Sequence, residues 1–209
     1  MDIKNVKSFL EYDNKPLKND FILPCIIINA MIFYIGAYFS SQKIINIIVV
    51  SCINIIVFFS FVYVHKSVNK CQYRLKMLHG IFFLEFCISC NYLAYQFLLP
   101  LFRCPLLLCL LLIFLIMCSG GAVFLFIIYG IKTGRYNNKK GPSSQILVII
   151  FGSILFAFIL TLRFFSESLT IQGKKIIWGV LLVLIGMAFT SGIIPIIKYH
   201  FYKLIENQK

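Results

Sequence analysis

The chain has 209 residues, of which 60% are hydrophobic and 13% charged, and its mean hydropathy is +0.91; soluble proteins carry about 25% charged residues. This composition excludes a soluble enzyme and indicates an integral membrane protein. The formal net charge of +13 comes from basic residues at the ends of apolar runs, where membrane orientation and anionic headgroups account for them and nucleic acid is not an expected partner.

Residues Met1 to Asp20 form a polar tail with Lys4, Lys7, Lys15 and Lys18. No short apolar core follows the charged start, as it would in a cleavable signal peptide, so the first span is expected to act as its own insertion signal. Ile3, Val6 and Leu10 recur at helical spacing beside Lys4 and Lys7. That pattern suits a short helix on the membrane surface, or a tail with scattered apolar residues.

Six apolar runs follow, each near the length of about 20 residues that a helix needs to cross a bilayer. They cover about 21–39, 44–64, 75–100, 105–131, 145–165 and 176–197. The expected fold is all-α: a polytopic membrane protein with six transmembrane helices in three antiparallel hairpins. Residues 1–20 are read as a cytosolic amino-terminal tail, 21–200 as the transmembrane domain and 201–209 as a cytosolic carboxyl-terminal tail. Fifteen Lys and Arg fall on the side of the two termini and five on the other, which places both termini in the cytosol by the positive-inside rule.

The third run, Leu75 to Pro100, has a carboxylate in its middle. At about 100° per residue, Glu85, Ser89, Tyr92 and Gln96 fall within about 60° of one another and make a polar stripe. An ionised side chain at the bilayer centre costs from about 3 to well over 10 kcal/mol. Glu85 is therefore expected to face other helices or a wet cavity, or to stay protonated. The stripe suits a proton, a cation or a polar substrate group. Alternatively it pairs with a neighbouring helix and serves assembly, and Asn29, Asn46, Asn54, Thr161 and Thr190 are the candidate partners.

Other chemistry is weaker. Cys87 and Cys90 form a C-x-x-C, but inside an apolar helix such thiols act as packing residues. Cys71 and Cys104 lie near the surface on opposite sides, so no disulfide framework is expected. His65, His79 and His200 all fall near cytosolic ends and match no zinc, di-iron or haem spacing. His79 points away from Glu85, and Arg163 with Glu167 makes an interfacial pair at the outer end of the fifth run. No catalytic motif is present, so neither catalytic residues nor a cofactor nor a metal is expected.

Gly179, Gly186 and Thr190 share a face of the sixth run, and Cys118 to Ala122 forms a small-residue patch in the fourth; such faces let helices approach closely, within the chain or in a homo-oligomer. The expected partners are the lipid bilayer, anionic lipid touching cytosolic Lys and Arg such as those of Lys132 to Lys140, and a membrane-protein partner or second copy. Two functions follow. One is a small transporter or channel-like protein with Glu85 in its coupling site; the other is a non-catalytic interaction protein or subunit of a membrane complex. A transporter should turn the stripe toward an internal cavity and a subunit should turn it toward lipid, whereas a dry, packed face removes the main support for transport.

Overall fold

The computed structural model describes residues 2–12, 22–67, 72–138 and 170–207. The fifth run, with Thr161, Arg163 and Glu167, lies outside the described residues, as do Cys71, Lys139 and Lys140 and the side chains of Cys25 and His65. All regular elements among the described residues are helical: α1 (Ile3–Glu11), α2 (Ile22–Phe39), α3 (Lys43–Ser67), α4 (Gln72–Leu98), α5 (Pro105–Lys132), α6 (Ile171–Phe189) and α7 (Ile193–Glu206). Among the described residues, four stretches are long and apolar enough to cross a membrane: Lys43–Val62, Gln72–Leu101, Pro105–Lys132 and Ile171–Glu206.

Local chemistry sets the boundaries. Pro100 sits in a short 3-10 turn, Leu99–Leu101, that ends α4, and Pro105 opens α5, where its missing N–H costs no helical bond. Between α2 and α3, the Ser40 hydroxyl accepts from the Gln42 N–H at 3.2 Å and from the Asn46 amide. Thr170 caps α6 by accepting from Gly173 N–H at 3.2 Å. The sixth run, expected as one span over 176–197, is helical from 171 to 206 but broken by a 3-10 turn at Thr190–Gly192. Pro195 explains the break, because it has no N–H for the Ser191 carbonyl and its ring crowds that turn.

The amino-terminal segment is a helix, and its apolar face is covered by other helices of the chain. The Asp2 carboxylate caps it by accepting from Lys4 N–H at 2.9 Å. Its apolar face buries Val6, Phe9 and Leu10 against Ile127 and Ile131 of α5 and Ile197 of α7. Gly134, at φ +66°, turns the chain so that Tyr136 comes back over Gly130 and stands 5.0 Å from Phe9 and 5.3 Å from Tyr12, ring to ring. Asn137 Nδ2 donates to Asn5 Oδ1 at 2.7 Å, and Lys198 Nζ donates to the Tyr12 carbonyl. Burial pushes the Tyr136 phenol above the usual tyrosine range; the Arg135 guanidinium opposes this and Tyr12 reinforces it.

Helix α4 is central. One flank meets α2, and another meets α6 and α7. Helix α3 leans mainly on α2 and leaves Ile44, Ile48, Ile55, Ile56 and Phe59 exposed. The second flank of α4 is a seam of glycines. A methyl group on Gly80 would stand 2.4 Å from the Gly192 carbonyl oxygen, one on Gly186 would stand 2.3 Å from Asn91 Nδ2, and one on Gly179 would stand 2.6 Å from the Leu98 side chain. Gly179 and Gly186 thus serve contact within the chain.

A buried polar junction between two helices as the candidate functional site

Glu85 is 8% exposed and Asn29 1%. Asn29 Nδ2 donates to Glu85 Oε2 at 3.2 Å and to the Phe82 carbonyl at 3.1 Å. Both acceptors lie on α4, so the bonds tie α2 to α4 and orient the amide with its NH2 toward α4. Glu85 Oε1 and Asn29 Oδ1 are sealed from solvent and accept no hydrogen bond among the described residues. Leaving such acceptors unsatisfied costs about 1–3 kcal/mol each.

The stripe holds together unevenly. Ser89 is buried, but its hydroxyl donates to the Phe86 carbonyl at 2.9 Å on its own helix. Tyr92 is half-buried; its ring lies over Gly36 of α2, where a methyl group would come within 2.7 Å of it, and 6.2 Å from the Phe33 ring. Gln96 is half-buried. Glu85 and Tyr92 therefore meet α2 rather than lipid. The groove of about 270 Å³ lined by Phe97, Pro100, Gln172 and Lys175 includes no residue of the stripe.

Of the candidate partners among the described residues, Asn29 is the one that reaches Glu85. Asn46 bonds to Ser40, Asn54 Nδ2 donates to the Val50 carbonyl at 3.0 Å, and Thr190 Oγ1 donates to the Met187 carbonyl at 2.7 Å. The His79 ring lies 4.3 Å from the Phe83 ring at a tilt of 52°. Among the described residues, no group of three or more His, Cys, Asp or Glu is placed to hold a metal ion.

One buried amide escaped the sequence reading. Asn91, 4% exposed, donates to the Cys87 carbonyl at 2.8 Å and leaves its own Oδ1 without a donor. It lies about 120° around α4 from the stripe, in the seam with α6. A signal existed: Gly80, Cys87, Asn91 and Leu98 share one face within about 40°, and that face pairs with the glycines of α6 and α7.

Compared with known proteins, the chain matches no described family, no curated sequence and no solved structure.

Proposed function

We propose that the chain is a multi-pass membrane protein crossing the bilayer six times as three hairpins, with both termini cytosolic. We assign it the role of a small, non-catalytic transporter or channel-like protein whose coupling site is Glu85 with Asn29. The orientation is supported by the fifteen-to-five bias in basic residues. The docking of α1 along α7, from Ile197 and Lys198 to Ile205, agrees with a shared side for the two termini.

One observation carries the functional reading: two buried acceptor oxygens, Glu85 Oε1 and Asn29 Oδ1, stand without donors on a hydrogen-bonded pair that joins two helices. A plain assembly contact would be better served by groups that satisfy each other, whereas a proton or small cation would engage an oxygen left in that state. The junction is packed and sealed from solvent and lies outside the groove, so the support that an internal polar cavity would lend to transport is removed; the reading rests on the two unsatisfied oxygens alone, in an occluded site that would be reached when α2 and α4 part.

The second reading, a subunit of a membrane complex, draws on the long exposed face of α3. Uptake of protons or monovalent cations into liposomes separates the two. Uptake by the wild type and its loss in Glu85→Gln, with folding preserved, supports transport. No uptake in either form, with partner retention altered by changes on α3, supports the subunit.

A further inference from the structure

The reading above leaves the ligand of the Glu85–Asn29 pair open between a proton and a metal cation, and the donor directions separate them. Asn29 aims its NH2 at Glu85 Oε2 and at the Phe82 carbonyl. Those oxygens already accept hydrogen, and a partly positive NH2 sits where a metal ion would have to approach them. Ser89 Oγ is turned toward the Phe86 carbonyl. What remains at the junction is Glu85 Oε1 and Asn29 Oδ1, both sealed from solvent; the Tyr92 hydroxyl, also buried without a partner among the described residues, belongs to a residue about two turns further along α4. Hard metal cations take about six oxygens or more, water included. Two oxygens in a closed junction suit a proton instead.

Charge points the same way. Among the described residues, α2 offers Glu85 the neutral Asn29, and α3, α5, α6 and α7 place no Lys, Arg or His within ion-pair distance of it. On α4 itself the titratable neighbours are His79, Cys87, Cys90 and Tyr92, while Lys76 lies about 13.5 Å away along the helix axis. An ionised Glu85 in the closed junction would face hydrocarbon and one amide. A protonated one is neutral and turns an orphan acceptor into a donor.

We infer that the ligand of this site is a proton carried on Glu85 Oε1, and that Asn29 is the positioning residue that holds Oε2 and so leaves Oε1 as the atom that is protonated. This rests on the reading of Glu85 as a ligand site. The step is a simple one: an O–H bond forms at Oε1 with a proton taken from water when α2 and α4 part, and it breaks by return of that proton to water. No electron moves.

The test uses the full chain in lipid nanodiscs, followed by infrared spectroscopy as pH is varied in chloride salts of sodium, potassium, magnesium or choline at constant ionic strength. The expected result is a carboxyl band that titrates in the wild type and is missing in Glu85→Gln. Its midpoint should move by less than about twofold in proton concentration when sodium or potassium replaces choline. Asn29→Leu should keep the band but shift its frequency and midpoint, which a residue needed only for packing would not do. A midpoint displaced about tenfold for each tenfold rise in one metal ion, as competition for one site requires, would overturn the proton in favour of that cation. A carboxyl band that does not titrate anywhere in the stable pH range would overturn it as well. The wild-type titration needs no variant to fold, and it is independent of uptake. Absent uptake with an intact titration sinks the transport reading alone, and a metal-dependent midpoint sinks the proton alone.

Discussion

The two flanks of α4 bury polar atoms in opposite ways. Toward α2, contact runs through side chains: Asn29 bonds to Glu85 across the helices, and the Tyr92 ring rests on Gly36. Toward α6 and α7, contact runs through glycines: Gly80 and Gly192 stand so close that neither has room for a methyl group, Gly179 and Gly186 receive the Leu98 and Asn91 side chains, and Asn91 bonds within its own helix. Inside a bilayer, close backbone packing supplies association and polar side chains supply specificity. The two flanks should therefore respond differently to substitution.

The largest effect is expected on the glycine flank. Gly80→Ala sets a methyl group 2.4 Å from a backbone oxygen that cannot rotate away, and should cost about 3 kcal/mol of stability as an overpacking change. Gly121→Ala meets nothing within 4 Å and should cost nothing. Thermal unfolding in lipid compares them, and equal stabilities would show that the Gly80–Gly192 contact has room for a methyl group after all.

On the α2 flank, Asn29→Leu leaves Glu85 buried without its donor and should cost about 2 kcal/mol. Much of that loss should vanish when Glu85 is changed to Leu as well. A double-mutant cycle measures the difference, and additive losses would mean that the 3.2 Å bond holds nothing together.

A smaller effect tests where the flanks resemble each other. The methyl group of Gly186→Ala would meet the end of the flexible Asn91 side chain, which can swing aside. The single change should cost about 1 kcal/mol and Asn91→Ala should relieve most of it, since contacting residues are energetically coupled. Failure of the second change to rescue the first would place the clash on the Cys87 carbonyl, 3.1 Å away, and make this contact as rigid as that of Gly80.

The seam under α1 sharpens the contrast, because water reaches its edge. The Tyr136 phenol is held above the ordinary tyrosine value by burial. Its contribution is thus intact below about pH 10 and is lost as the pH rises through the folded-state value, where the unfolded chain ionises first. Protease access to α1 should rise in that alkaline window. Tyr136→Phe, which keeps the ring and removes the ionisable hydroxyl, should delay it.

Much of this architecture was legible in the residues. Pro100 and Pro105 bracket the α4–α5 turn, Ile3, Val6 and Leu10 announce α1, and the apolar runs match α2 to α5 closely. The stripe on α4 was readable from spacing, and Asn29 stood among its nominated partners. Asn91 was not recognised, because one amide in an apolar run carries no mark of what stands opposite. The break in the last run was not recognised either, although Pro195 and Gly192 were in plain view.

Helical periodicity and turn chemistry act over a few neighbouring residues, so helix ends and the sharing of a face could be read from the chain in order. Which face of α4 meets which helix depends on residues far apart in sequence: Gly80 against Gly192, Asn91 against Gly186, Asn29 against Glu85. Those pairings follow from how closely two backbones can approach and which buried polar atoms then come within reach, and volumes and distances of that kind exist only once the helices have packed.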